Sequence, residues 1–416
     1  MESLLLITHE YPINKGDSSF IKNEIPYLAS NFDKIHILCK GIIKDKNEIL
    51  AIPDNCSVNF IKRKYNIISI IIFIIQTIFN SILYLEINQF LKDKKKSFKT
   101  LSFILSYLFK AIVTKKHIMD IVKKDKNISI IYTYWYYNES LGALLYKKLN
   151  NKIKCITRAH GYDVHLFENK YNYQPYKIWM DKNIDKIFFA SQYLCDYYKK
   201  IFAKSGLNKY ITMPLGIINN SDICKIKKNN DVFILLSCSY IVPRKRINLI
   251  IEALSYINDI NIHWIHIGND PDTDNILSIA DELLKTKNNI SYDFKGLMSS
   301  EQIMQFYNEN YIDFFISTTE AEGGRPVSIN EAMSFGIPII ATNTGGIPEL
   351  IENIGILIDV NCKAIEISES IINFYNLFDD TKLSIRHKTR LFWENNCNAE
   401  SNYPKFINEI KLLSNN

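Results

Sequence analysis

Short, uninterrupted apolar runs recur along the chain, each followed by a polar loop and then by a segment with helical periodicity. Leu4 to Ile7 is the first such run, HEYPINKGDSS is the loop after it, Phe20 to Leu28 reads as helix and Ile35 to Cys39 as the second strand. Runs this short and this apolar are strands covered on both faces. Ile128 to Tyr132, Cys155 to Thr157 and Lys186 to Phe189 continue the series, with helices over Leu141 to Leu149 and from Ser191 onward. Ile211 to Leu215 leads into Gly216, and the stretch IINNSDICKIKKNN that follows is polar and aperiodic, which predicts a linker. A second series opens at Val232 with VFILLSCSYIVPRKRINLIIEAL, again strand, loop and helix. Strands alternating with helices predict an α/β fold in two domains.

The densest chemistry lies in STTEAEGGRPVSINEAMSFGIPIIATNTGGIPE, from Ser317 to Glu349. Phe314 to Ile316 ends a buried strand, and Glu322 lies in the loop after it. Gly323 and Gly324 let backbone approach a ligand closely. Pro326 suits a first helical position, and the helix runs through Glu331 and Met333 until Gly336 and Pro338 stop it. Ile337 to Ala341 is the next strand, and Asn343-Thr-Gly345-Gly346 ends it. A helix N-terminus facing a glycine loop is suited to a phosphate or diphosphate. Glu322 stands at its mouth, and Glu331 is placed to accept from a hydroxyl-bearing group such as a ribose.

This segment resembles the donor-binding signature of the family-4 glycosyltransferases. The resemblance implies the GT-B fold, two Rossmann-like α/β/α domains facing across a cleft. In that signature, E-x7-E, the first glutamate contacts the transferred sugar and the second the ribose. Here Glu322 and Glu331 enclose eight residues, one more than the pattern, and Glu320 is the alternative for the first position. The triplet Arg244-Lys245-Arg246 is similar to the family's G-R-x-x-x-x-K loop, with Lys245 on the lysine and Tyr240 where the family has arginine. The resemblance thus implies diphosphate neutralisation by Lys245, with Arg246 or Arg325 as substitutes. Residues near Lys295 and Gly296 border the base in the family pattern. His160, in the H-G-x-D element with Gly161 and Asp163, falls at a strand end and could donate to a sugar hydroxyl or to leaving-group charge. The loop after the first strand lacks G-x-G-x-x-G, which argues against a dinucleotide oxidoreductase; Gly16 remains there to bring backbone near a ligand.

Charge changes the picture in one place. The net charge is +6, yet residues 60–126 hold 14 Lys or Arg against Glu86, Asp93, Asp120 and Asp125, a surplus of +10, so the rest of the chain carries about −4. Within that window IISIIIFIIQTIF, from Ile67 to Phe79, is too short for a membrane span, which needs about twenty apolar residues. A second amphipathic stretch, Phe98 to Val113, follows Lys92, Lys94, Lys95 and Lys96. Apolar helices flanked by lysines predict contact with an anionic membrane surface; the alternative is a core helix beside solvated lysines. Eight cysteines without a C-x-x-C signal neither zinc nor a disulfide framework, and MESLLLITHEYP lacks the basic n-region of a signal peptide.

These readings combine into one expectation. Residues 1–218 form an N-terminal acceptor-side domain carrying the basic helical insertion 60–126 and completed by a crossover helix at about 397–416; residues 231–396 form the nucleotide-sugar domain. The resemblance implies a retaining glycosyltransferase that takes a UDP- or GDP-sugar and uses no metal or other cofactor; the basic apolar window suggests that its saccharide acceptor is carried on a lipid. Surface polysaccharide, O-antigen or capsule synthesis is the expected setting, on the cytoplasmic face of the membrane and with no nucleic-acid partner. His160, Glu322 and Lys245 are the expected catalytic groups; Gly16, Arg246, Lys295, Gly296, Gly323, Gly324, Arg325 and Glu331 are the expected donor contacts. A sugar-nucleotide epimerase and a non-catalytic membrane-bound partner of the same fold are the alternatives.

Overall fold

Leu4 and Leu6 enter one apolar cluster while Leu5 and Ile7 enter another, so the first strand is covered on both faces. That is why it reads as a continuous apolar run rather than an alternating one. The computed structural model describes residues 2–43, 45, 48–62, 64–92, 97–169, 171–204, 206–221, 232–269 and 272–414. The chain divides into two compact units, residues 1–215 with 403–416, and residues 216–402.

The first unit runs β1 (Ser3–Thr8), α1 (Ser18–Ala29), β2 (Lys34–Cys39), β3 (Cys56–Phe60), α2 (Ile67–Ile78), α3 (Ser81–Leu91), α4 (Phe98–Lys124), β4 (Ile128–Thr133), α5 (Asn138–Lys147), β5 (Lys154–Ala159), α6 (Lys177–Asn183), β6 (Lys186–Phe189), α7 (Gln192–Ile201) and β7 (Tyr210–Thr212). Its seven strands are parallel, in the order β3-β2-β1-β4-β5-β6-β7. The second unit runs β8 (Phe233–Cys238), α8 (Ile247–Ser255), β9 (Ile262–Ile267), α9 (Thr273–Leu284), β10 (Ile290–Phe294), α10 (Ser300–Glu309), β11 (Phe314–Ser317), α11 (Val327–Ser334), β12 (Ile339–Thr342), α12 (Pro348–Ile351), β13 (Ile356–Ile358), α13 (Ala364–Tyr375) and α14 (Asp379–Asn396). Its six parallel strands take the order β10-β9-β8-β11-β12-β13. Both sheets are doubly wound and Rossmann-like. Their strand order reverses between β1 and β4 and between β8 and β11, the switch points where ligands bind in such sheets.

The last helix, α15 (Ala399–Ser414), starts in the second unit and belongs to the first from Tyr403 onward. Phe406 is fully buried against Tyr132 and Phe188, with ring centroids 5.4 and 4.8 Å away. Lys186 reaches Glu409 at 2.5 Å. The stretch expected as a linker is anchored where it is described. Ile217 exchanges backbone hydrogen bonds with Cys397 and Ala399, and the Asn219 amide donates to the Ser334 carbonyl at 2.9 Å. The remainder, 222–231, lies outside the described residues.

The basic insertion splits into two kinds of helix, which corrects one expectation. α4 is a core helix: Ile104, Tyr107, Leu108, Ala111, Ile112 and Ile118 are all buried. It lies so close to α5 that a Cβ at Gly142 would come 2.7 Å from the Ala111 carbonyl oxygen. Its apolar face is therefore occupied by the protein and is not open to a membrane. α2 is the opposite case, burying Phe73 and Thr77 while Ile67, Ile68, Ile71, Ile72 and Ile75 stay exposed. Among the described residues no single helix is long and apolar enough to cross a membrane; α2 and α3 pass that test together but are bent by 54°. Lys94, Lys95 and Lys96 lie outside the described residues.

Candidate active site

At the switch point of the second sheet, the chain leaves β8 through a 3-10 turn (Pro243–Lys245) and leaves β11 through residues 318–326. These loops are laced together. Thr318 Oγ1 donates to the carbonyls of Lys245 and Arg246, both at 3.0 Å, and the Glu320 N–H donates to the Arg244 carbonyl at 2.8 Å. A third loop, after β12, joins them through Thr342 Oγ1 to the Thr319 carbonyl (2.5 Å) and Thr344 Oγ1 to the Glu320 carbonyl (3.1 Å). Gly345, at φ +57°, sits so tightly that a Cβ there would lie 1.7 Å from the Glu322 carbonyl oxygen. Only glycine fits that place.

This lacing brings Lys245 and Glu322 into an ion pair, Nζ to Oε1, with both side chains about one-sixth exposed. Arg244 Nη1 stands 4.0 Å from the same oxygen. Glu320, the alternative first glutamate, is exposed and meets the basic loop through its backbone. Beyond the loop α11 starts at Val327 with Pro326 as its N-cap, one residue earlier than a first helical position, and no side chain caps it. Gly323 and Gly324 are not among the glycines with positive φ, so it is small size, not left-handed backbone, that they contribute. Glu331, on α11, is buried and accepts from Ser300 Oγ at 3.2 Å. Ser300 opens α10, so this contact ties the two helices.

Two of the expected diphosphate partners are engaged elsewhere. Arg246, left-handed at φ +50°, donates from Nε to the Thr318 carbonyl (2.7 Å) and from Nη1 to the Val360 carbonyl (2.6 Å). Its guanidinium is a brace between loops. Arg325 donates from Nε and Nη2 to Glu349 Oε2, both at 3.3 Å, which draws its charge to the start of α12. Lys245 is thus the expected cation whose partner is another expected site residue. Lys295 pairs with Asp293 at the end of β10, and Gly296, at φ +70°, bridges Gly268, whose N–H donates to the Gly296 carbonyl at 2.9 Å. Among the described residues no group of three or more His, Cys, Asp or Glu is arranged to hold a metal ion.

At the switch point of the first sheet, a cluster forms that the sequence reading passed over. The Asp17 carboxylate, buried, accepts from the backbone N–H groups of His9 (2.8 Å), Glu10 (2.8 Å) and Tyr11 (2.9 Å) and from Trp135 Nε1 (3.1 Å). Gly16, at φ +57°, makes the turn that sends Asp17 back onto this loop. Glu139, at the start of α5, meets Lys40 Nζ at 2.6 Å and His9 Nε2 at 3.2 Å. Burial would raise its carboxyl, but Lys40 and His9 outweigh burial and hold it well below the usual carboxylate range. His9 stacks on Trp135 (5.4 Å, 17°), and Trp135 in turn packs against His160 (4.5 Å). The available signal was an Asp beside a Gly ahead of a helix, and a Glu in a helix first turn after a strand.

His160 makes its side-chain hydrogen bond within its own unit. Its Nε2 lies 3.1 Å from the Tyr134 carbonyl, which can only accept, so the proton sits on Nε2 and is already donated. Burial lowers its pKa and favours the neutral ring, leaving Nδ1 as an acceptor. Asp163 holds the loop by accepting from the N–H groups of His160 (2.7 Å) and Tyr136 (2.8 Å). Arg158, beside it in sequence, is fully buried and paired with Glu24 at 2.9 Å, a structural role.

Residues 219–387, which carry Lys245, Glu322 and Glu331, match the family Glycosyl transferases group 1 and form a domain of that type. The chain is 27% identical over 249 residues to the uncharacterized glycosyltransferase MJ1178 of Methanocaldococcus jannaschii, spanning 59% of this chain and 64% of that protein. It is 39% identical over 61 residues to the amylovoran biosynthesis glycosyltransferase AmsK of Erwinia amylovora, 14% of this chain and 15% of that one. Both matches span less than two thirds of the relative's length. In structure the chain is similar to Anabaena Alr3699/HepE, solved in complex with UDP and glucose, with a TM-score of 0.67 at 14% identity over 99% of this chain and 100% of that one. The fold is therefore GT-B, with one Rossmann-like domain on each sheet.

Proposed function

We propose that this protein is a family-4 glycosyltransferase that moves a sugar, with retention and without a metal, from a UDP- or GDP-sugar to a lipid-linked saccharide. The observation that carries the reading is the meeting of Lys245 and Glu322 at the switch point of the group 1 domain. A departing nucleoside diphosphate develops negative charge, and the groups that can meet it are the Lys245 ammonium and the uncapped N-terminus of α11. As Lys245 turns to the diphosphate it releases Glu322 to the hydroxyls of the transferred sugar. Glu331, held by Ser300, is the ribose acceptor. The UDP and glucose bound by the Anabaena protein support the donor class. The amylovoran biosynthesis role of AmsK supports polysaccharide assembly as the setting.

In the N-terminal unit, His9 stacked on Trp135 and His160 packed against it offer apolar ring faces, and the Glu139–Lys40 pair offers charge, at the ends of β1, β2, β4 and β5. We assign the saccharide acceptor to this cluster. The exposed face of α2 supports a position on the cytoplasmic surface of the membrane. The test is a melt against UDP- and GDP-sugars, since a ligand that binds the folded state raises stability by RT ln(1 + [L]/Kd). A stabilising donor is then incubated with saccharide acceptors in EDTA, and the product's anomeric configuration is read by NMR. A protein that no nucleotide sugar stabilises, or a product of inverted configuration, overturns the corresponding part of the reading.

A further inference from the structure

A pocket of about 460 Å³ opens at the N-terminal end of α2, lined on one side by the approach to that helix and on the other by the last turns of α4. Lys62, Lys64 and Lys124 line it, and none of the three has an ion-pair partner among the described residues. Lys116, also in its wall, pairs with Asp120 at 2.5 Å. His117 Nε2 accepts from Tyr65 Oη at 2.8 Å and from the Lys62 N–H at 3.3 Å, which puts its own proton on Nδ1. Among the described residues, every charge without an ion-pair partner in the pocket is positive. Directly beyond it the surface changes character: Ile67 and Ile68 are 75% and 69% exposed, and the exposed isoleucines continue along α2. A polar, cationic cavity at the foot of an open apolar helix matches a molecule with an anionic head and an apolar tail.

We propose that this pocket holds the phosphate headgroup of an anionic phospholipid, whose acyl chains lie along the exposed face of α2. The inference rests on the membrane-facing reading above but not on the donor chemistry. Charge complementarity selects the occupant. A protein partner or a second copy of the chain would satisfy the isoleucines but would leave three lysines to be neutralised. α2 then lies in the plane of the interface with its N-terminus toward the headgroups, in keeping with a helix pair too sharply bent to act as one straight span.

The test is co-sedimentation of the full chain with vesicles of phosphatidylcholine alone or mixed in equal parts with phosphatidylglycerol. Wild type should bind the mixed vesicles and not the neutral ones. Lys62→Gln, Lys64→Gln and Lys124→Gln together should weaken that binding on the order of a hundredfold, at about tenfold or less per lysine. A control triple at exposed lysines outside the pocket, Lys99→Gln, Lys110→Gln and Lys123→Gln, should weaken it far less. Ile68→Ser with Ile71→Ser should also release the protein. Equal losses in the two lysine triples would mean a diffuse charged surface and overturn the pocket. Binding to both vesicle types alike, or self-association of free wild type that the isoleucine variant abolishes, overturns the proposal outright. Nucleotide-sugar melts on the same variants report separately on the glycosyltransferase reading, which fails or stands on its own.

Discussion

Lys245 and Glu322 neutralise one another across the two loops of the switch point, although each was expected to face a different part of the donor. The pair holds a cation in place with its charge compensated. Lys245→Ala should lower turnover at least about tenfold, because positive charge there matters most as the leaving group forms. Arg246→Ala should behave differently. It removes two hydrogen bonds to the Thr318 and Val360 carbonyls and should reduce stability by about 1–3 kcal/mol. Kinetics and thermal melts on both variants separate the roles; a mild Lys245 variant beside a stable but inactive Arg246 variant would reverse the assignment.

Glu331→Ala should weaken nucleoside diphosphate binding by roughly 1.5–3 kcal/mol, the worth of a hydrogen bond to a charged group. Ser300→Ala, which removes the hydroxyl that donates to Glu331, should have a smaller effect on affinity. Titration calorimetry measures both, and unchanged affinity in the Glu331 variant counts against its ribose role.

Gly345→Ala should displace the Glu322 loop, since its Cβ would overlap the Glu322 carbonyl and its φ of +57° disfavours any side chain. The expected result is a lowered Tm together with lost donor binding. A variant that melts and binds like wild type would show that the loops part more readily than their hydrogen bonds suggest.

Glu86 gives the insertion a pH dependence. It is buried on α3 and accepts from Tyr173 Oη and the Tyr176 N–H, each at 2.8 Å. Burial outweighs these two bonds and raises its pKa from 4.5 to about 7. A raised folded pKa means the folded state holds the proton more tightly than the unfolded chain. The contribution is therefore full below about pH 4.5 and is lost as pH rises through about 7, on the order of 3 kcal/mol in all. Glu86→Gln keeps an acceptor oxygen and removes the titration. Its stability relative to wild type should grow between pH 5 and pH 8, as read by urea melts; a constant difference would show that Glu86 does not titrate in that range.

The strands were legible because parallel strands covered on both faces must be apolar throughout, as β1 and β12 are. β3 escaped because it lies at the sheet edge with all five residues part-exposed, so CSVNF carries no apolar run. α4 was misread because a long core helix with lysines on its outer face has the same pattern as a helix lying on a membrane. At the site, residue types could be read but pairings could not. Arg246 and Lys245 are neighbours in sequence, yet a left-handed residue turns one inward to carbonyls and leaves the other to Glu322. His9 and Lys40 come from the loops after β1 and β2 to meet Trp135 and Glu139, which follow β4, and no local spacing announces that.

The position of Phe406 sets an order on biosynthesis. A ribosome delivers β1 to β7 early, but the slot between Tyr132 and Phe188 stays unfilled until Phe406 emerges. By then the entire group 1 domain has been translated and is free to fold first. The earlier-made half of the protein is thus the later one to be finished, and its nascent form exposes an apolar groove for most of the time that the rest is being made.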